Sequence, residues 1–279
     1  MPAQFSEADQ AAFRPTMKVG LLATINDEGL PHLTLIASLQ AGTPTQLVWA
    51  QFLEGSCKQF IQRRPQTGFL IMTLDRRLWR GQATFTHLRR EGPEYEQYNS
   101  SPMFRYNAYF GIHTVYYMDL VTQTGQEELP MTAIVTGSLQ TMLARAFFKP
   151  ETCPPALNGW SQQLLNRLGG LKFLTYLSTD GYPRIIPVLQ VQAPDRGHIL
   201  FAASVYPDEL RAIPPQTPVA VLGMSLDMED VLVRGTFAGI RRYGGIACGS
   251  LEIDWVYNPM PPKAQQIYPA LPLQPVTNF

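Results

Sequence analysis

The residues best suited to chemistry in this chain meet at one strand-to-helix turn, Trp49-Ala50-Gln51-Phe52-Leu53-Glu54-Gly55-Ser56-Cys57-Lys58. An apolar strand ends, a Gly-containing loop follows, and a helix opens with a hydroxyl and a lysine. The free N–H groups and positive dipole end of a helix start favour an anion. Lys58 adds a full positive charge. Ser56 also suits an N-cap, so the same residues serve either a phosphate or the helix itself. Later in the chain Asp208-Glu209-Leu210 stand in the matching place. Two carboxylates suit the dipole but repel a phosphate, and Arg211 beside them is expected to pair with them. Phosphate binding is therefore expected at the first turn and not at the second.

Other chemistries find less support. His32, His87, His113 and His198 show no HxxxH or HExxH spacing, so no metal is expected. Cys57, Cys153 and Cys248 are odd in number and form no CxxC pair, which argues against a disulfide scaffold and for a reducing cytoplasm. No Ser-His-Asp or Cys-His arrangement has motif support. Lys plus Arg and Asp plus Glu each total 22, and a zero balance argues against a nucleic-acid binder. The N-terminal MPAQFSEADQ lacks the basic start and apolar core of a signal peptide. No stretch approaches the roughly 18 apolar residues of a membrane span. A soluble cytoplasmic protein with neither nucleic acid nor membrane as partner is expected.

The elements that must hold the turn are short strands joined by turn chemistry. Ser6–Arg14 reads as a helix with Ser6 at its N-cap. Val19–Ile25, Leu33–Leu39, Gln46–Gln51, Gly68–Leu74, Trp79–His87 and Ile112–Thr122 read as strands. Ser56–Arg64 reads as a helix stopped by Pro65, and Gly137–Phe148 and Trp160–Leu168 as further helices. The prolines of Lys149-Pro150-Glu151-Thr152-Cys153-Pro154-Pro155 break the pattern. Residues 1–148 are thus expected as one domain, 149–158 as a linker and 159–279 as a second domain.

The second domain repeats the first. Thr24-Ile25-Asn26-Asp27-Glu28-Gly29-Leu30-Pro31 lines up with Tyr176-Leu177-Ser178-Thr179-Asp180-Gly181-Tyr182-Pro183 at an offset of 152. Val48-Trp49-Ala50 falls on Leu200-Phe201-Ala202 at the same offset. Arg80-Gly81 is matched to Arg234-Gly235 at 154, and Asp119 to Asp254 at 135. Register kept over several strands points to an internal duplication.

Gly29-Leu30-Pro31, Ser56-Cys57-Lys58, Arg63-Arg64-Pro65 and Arg80-Gly81, in this order and spacing, resemble the pyridoxamine 5′-phosphate oxidase-like FMN-binding split barrels. The resemblance covers roughly residues 17–122 well and 170–256 more weakly. It implies a mainly β fold with a few helices (α+β): two tandem split β-barrels packed as an intramolecular pseudo-dimer, with a further homodimer open. It implies FMN as cofactor, with His32, Thr34 and Ile36 lining the flavin and Gln51, Ser56 and Lys58 holding its phosphate. The degenerate second barrel is expected to supply a wall and no second cofactor. The function implied is an FMN-dependent oxidoreductase with a small-molecule substrate. A flavin carrier or sensor, and a haem-binding or haem-degrading barrel, are the alternatives. Without a GxGxxG fingerprint, any nicotinamide has to bind transiently over the flavin. The cluster Tyr95, Tyr98, Phe104, Tyr106, Tyr109, Phe110, Tyr116 and Tyr117 covers a planar ring or simply packs. Tyr106, Tyr109 and His113 are the candidates for contact with substrate or flavin edge.

Overall fold

A computed structural model describes residues 3–15, 17–51, 55–100, 111–150, 153–225, 227, 229–259 and 265–271. The chain is mainly β with a few helices, in two antiparallel sheets of like strand order.

Helix α1 (Glu7–Phe13) opens the first half. Ser6 caps it as expected, and a capping box with Asp9 satisfies two N-terminal donors. Strands β1 (Lys18–Ile25), β2 (Pro31–Leu35), β3 (Gln40–Thr43) and β4 (Gln46–Gln51) follow, then α2 (Ser56–Arg63), β5 (Gln66–Thr73), β6 (Arg77–Arg89), α3 (Pro93–Ser100), β7 (Thr114–Gln123) and β8 (Glu127–Glu128). The strand expected over Leu33–Leu39 ends at Leu35, because Ile36 bonds back to Gly20 and its carbonyl closes a turn onto Leu39. The sheet order is β2-β1-β5-β6-β7-β4-β3, with β8 on β6. Its core gathers Phe13, Leu22, Trp49, Ile61, Phe69 and Trp79.

The second half comprises α4 (Met131–Arg145), α5 (Gly159–Asn166), β9 (Leu171–Leu177), β10 (Pro183–Pro187), β11 (His198–Ala202), α6 (Pro207–Arg211), β12 (Pro218–Met224), β13 (Asp230–Tyr243), β14 (Ile246–Asn258) and β15 (Gln265–Tyr268). Its sheet order is β10-β9-β12-β13-β14-β11, with β15 on β14. Helix α4 starts six residues before the expected Gly137. Thr132, Val135 and Thr136 lower helix propensity, but packing of α4 on β11 and β14 outweighs this. By contacts the chain forms two compact units, Met1–Leu129 with Leu177–Ile185, and Pro130–Tyr176 with Ile186–Phe279. Among the described residues no helix is long and apolar enough to cross a membrane.

The halves share strand order and register. Gln40 faces Val48 in the first, and Gln192 faces Leu200 in the second, at the offset of 152. Both hairpins turn on the same bonds: Asn26 with Leu30 and Gly29, Ser178 with Tyr182 and Gly181. Gly29 and Gly181 both have φ of 82°, in the left-handed region that favours glycine. The bulges in β6 at Gln82/Ala83 and Phe85/His87 recur in β13 at Arg234/Gly235 and Phe237/Ile240. The offset is therefore still 152 there, and Arg234-Gly235 corresponds to Gln82-Ala83 rather than to Arg80-Gly81. A slip of two residues keeps every side chain on its face, so alternation alone does not reveal it. Likewise Asp119 faces Gln46 and Glu252 faces His198, so Asp119 corresponds to Glu252 and not to Asp254.

Candidate functional site

Strand β4 delivers Gln51 to the mouth of the turn, with its side chain on the same face as Trp49. Register places Trp49 opposite Tyr116 and Gln51 opposite Thr114. The Trp49 and Tyr116 rings stack at 4.1 Å and 5°, and the Tyr116 hydroxyl donates to Gln51 Oε1 at 2.9 Å. This bond fixes the amide so that its nitrogen is the end left to donate. His113 lies beside Gln51. Its backbone N–H donates to the Gln51 carbonyl at 2.9 Å, and its exposed ring contacts the Thr114 hydroxyl at 2.7 Å. Of the substrate-edge candidates, Tyr106 and Tyr109 lie outside the described residues.

Helix α2 begins one residue earlier than a Ser56 cap implies. Gly55 is the N-cap, and no side-chain hydrogen bond caps the helix. Ser56 is the first helical residue, and the Lys58 N–H donates to the Gly55 carbonyl at 3.3 Å. Cys57, Lys58 and Ile61 turn inward. Burial pushes the Cys57 thiol pKa up, against the opposing pull of Lys58, the Thr34 hydroxyl and two backbone N–H groups. At the far end Arg63 forms an ion pair with Asp27, and Arg64 reaches the Asp27 carbonyl at 3.4 Å. The turn between β1 and β2 is thereby tied to the helix.

His32, Thr34 and Ile36 alternate along one face, the face of Thr24 and Leu22, their neighbours on β1. That face packs against α2. His32 meets Phe60 edge-on at 5.4 Å. The buried Thr34 hydroxyl faces the Cys57 thiol, and among the described residues the buried Thr24 hydroxyl has no hydrogen-bond partner. Ile36 belongs to the apolar core. The structure thus sets His32 against Phe60 and Thr34 against Cys57, both of α2, with Gln51 at the end of the preceding strand.

Other sequence features resolve into packing. Tyr98 donates to the Ser38 and Val48 carbonyls, Tyr95 to the Ile112 carbonyl, and Tyr117 to Glu94 while stacking on His87. Arg80 is committed to Glu127 at 2.9 and 3.1 Å and to the Ile185 carbonyl at 3.2 Å. One cluster had no signal in the sequence. Cys153 Sγ lies 3.6 Å from His198 Nδ1, which contacts Asp195 at 3.0 Å. Burial, Asp195 and Glu252 all raise the Cys153 pKa, so this thiol is disfavoured as a nucleophile. Among the described residues no group of His, Cys, Asp and Glu is arranged to hold a metal.

No protein-family model and no curated protein matches the chain. Solved structures do. A putative pyridoxamine 5′-phosphate oxidase from Lactobacillus delbrueckii aligns at 14% identity over 44% of this chain and 95% of its own, with a TM-score of 0.35. An FMN-binding protein from Syntrophomonas wolfei aligns at 13% over 44% and 86%, with a TM-score of 0.37. HupZ from Group A Streptococcus aligns at 12% over 43% and 91%, with a TM-score of 0.35. Each of these likenesses covers about 44% of the chain and is one of fold alone.

Proposed function

We propose that the first half binds FMN and that the protein is a flavin-dependent oxidoreductase acting on a small molecule. The observation that carries this reading is a buried set of donors at the start of α2. Lys58 is only 9% exposed. A lysine ammonium held this close to the interior attracts an anion more strongly than one in open water. Thr34 on β2, Ser56 on α2 and the donating end of the Gln51 amide on β4 belong to the same junction. The first helical turn has no side-chain cap. A phosphomonoester carries about 1.5 to 2 negative charges near neutral pH and accepts through three oxygens. This donor set fits that group in charge and number.

Lys58, Ser56, Thr34 and Gln51 would hold the phosphate, and the Tyr116 hydroxyl keeps the Gln51 amide oriented. His32 is held edge-on by Phe60 and closes the strand side of the cradle. Trp49 and Tyr116 stack, buried, next to Gln51. Bound FMN would supply the electron or hydride chemistry, as cofactors of this kind do. The exposed His113 ring, anchored beside Gln51, is the described residue placed to meet a substrate.

Titration of flavin-free protein with FMN, followed by fluorescence quenching, tests the reading. One FMN should bind per chain. A charge-assisted hydrogen bond contributes about 1.5–3 kcal/mol, roughly ten- to a hundredfold in affinity. Lys58→Ala should weaken binding by that factor. Arg211→Ala should leave it unchanged, since Arg211 is exposed and 3.7 Å from Asp208. No uptake of FMN, two sites per chain, or equal losses from the two substitutions would refute the assignment. Bleaching of the bound flavin by NADPH under anaerobic conditions distinguishes a reductase from a passive carrier.

A further inference from the structure

Helix α4 is apolar on both sides. Ile134, Gly137, Thr141 and Ala144 face inward and pack on β11 and β14. The opposite side carries Val135, Leu139, Met142 and Leu143, spaced i, i+4, i+7 and i+8 along one stripe, and Phe147 just beyond the helix end continues it. All five are between 46% and 62% exposed. A helix that is apolar all round is normally covered on both sides. Among the described residues, this one is covered on one.

We propose that the outward face of α4 is a docking surface for a second copy of this chain. Three observations select that occupant. First, the helix has a single charged residue, Arg145, and its guanidinium donates to the Pro194 carbonyl at 3.3 Å. The stripe therefore presents no charge for a charged partner to match, and none to repel its own copy. A membrane-surface helix would instead flank its apolar face with several Lys or Arg residues. Second, the hydroxyls along its middle are satisfied internally: Thr136, Ser138 and Thr141 donate to the carbonyls of Thr132, Ile134 and Gly137. The surface asks for no polar partner. Third, the area is of the right order. Five side chains at this exposure present roughly 500 Å² per copy, so pairing two stripes buries about 1,000 Å² before their rims are counted, and stable dimers begin near 1,200 Å². A 15-residue helix spans about 22 Å. With Leu139 near its middle, two such stripes run antiparallel across a two-fold axis and meet over their whole length.

Sedimentation velocity of the full-length protein, over a dilution series from high to low micromolar, reads the result directly. A reversible monomer–dimer equilibrium is expected. Leu139→Glu with Leu143→Glu places two charges in the interface and should weaken dimerisation about a hundredfold. Both positions are exposed, so far-UV circular dichroism and thermal midpoint should stay at wild-type values. Leu139→Gln is the milder check and should act in the same direction. A wild-type protein monomeric throughout the series overturns the proposal. So does a Glu variant that stays folded and dimerises like the wild type. Flotation with neutral phosphatidylcholine vesicles separates the remaining occupant: vesicle binding by a monomeric wild type, lost in the Glu variant, would assign the face to a lipid surface instead. None of these readouts depends on flavin binding.

Discussion

The β4–α2 junction and the β11–α6 junction are built on one backbone plan and differ in what fills it. At the constant offset of 152, Thr34 becomes Ile186, Gln51 becomes Ala203, and Lys58 becomes Leu210. Leu210 is fully buried in the second core, and Ile213 follows it as Ile61 follows Lys58. The stacked pair Trp49–Tyr116 becomes Phe201 beside Gly249, where the missing side chain admits the phenylalanine ring. One half thus keeps a buried polar set where the other shows what plain packing looks like at the same positions. Ile186, Ala203 and Leu210 satisfy the fold, so Thr34, Gln51 and Lys58 are not needed for it. This contrast makes a binding role for the first junction a more specific reading than the motif alone supports.

Exchange between the halves sharpens that contrast. The largest effect is expected at Lys172, which occupies the position of Gly20. Its ammonium is fully buried and donates to the Arg167 and Leu189 carbonyls. Burial lowers its pKa from 10.5 to about 8. Below pH 8 both native and unfolded chains carry the charge, and the desolvation cost is felt in full. Between pH 8 and 10.5 the unfolded chain holds a proton that the native chain has lost, so this lysine's contribution to stability rises with pH. Denaturant unfolding of wild type and Lys172→Met should diverge across that window, in favour of the wild type, by up to about 3 kcal/mol. Parallel pH curves would show that Lys172 does not titrate there.

The next effect tests the Phe201–Gly249 exchange. A Cβ at Gly249 would lie 2.5 Å from Phe201 Cε2 and 2.9 Å from Phe237 Cε2. Both rings are wholly buried. Gly249→Ala should destabilise by about 1–3 kcal/mol through overpacking, visible as a lower denaturant midpoint at unchanged slope. A neutral result would mean that the second core is looser than its contacts imply.

The smallest effect concerns the first junction. Tyr116→Phe keeps the stack on Trp49 and removes the donor to Gln51 Oε1, leaving a buried acceptor unpaired. About 1 kcal/mol of stability should be lost. FMN affinity should fall severalfold at most, because the amide is no longer held in one orientation. A loss as large as that of Lys58→Ala would place the Tyr116 hydroxyl in direct contact with the ligand.

Local chemistry was legible along the chain. The Ser6 capping box, the Gly29 and Gly181 turns, most strands and the helix after Gln51 depend on neighbours a few residues apart, and their residue types announce them. The duplication was legible too, because an offset of 152 survives in turns whose glycines the backbone requires. Where bulges intervene, the sequence lost the register: Arg234-Gly235 looks like Arg80-Gly81, and only the cross-strand partners in the sheet show it to be the equivalent of Gln82-Ala83. The tertiary structure alone decided that Lys58 is buried, that Gly55 and not Ser56 caps α2, and that Cys153, His198 and Asp195 meet. It also decided which side of α4 is left uncovered. Burial and contact depend on which elements pack together, and those elements lie tens of residues apart in the chain. Spacing along the sequence carries no record of that packing, whereas caps and turns are set by sterics and hydrogen bonds within a single turn of backbone.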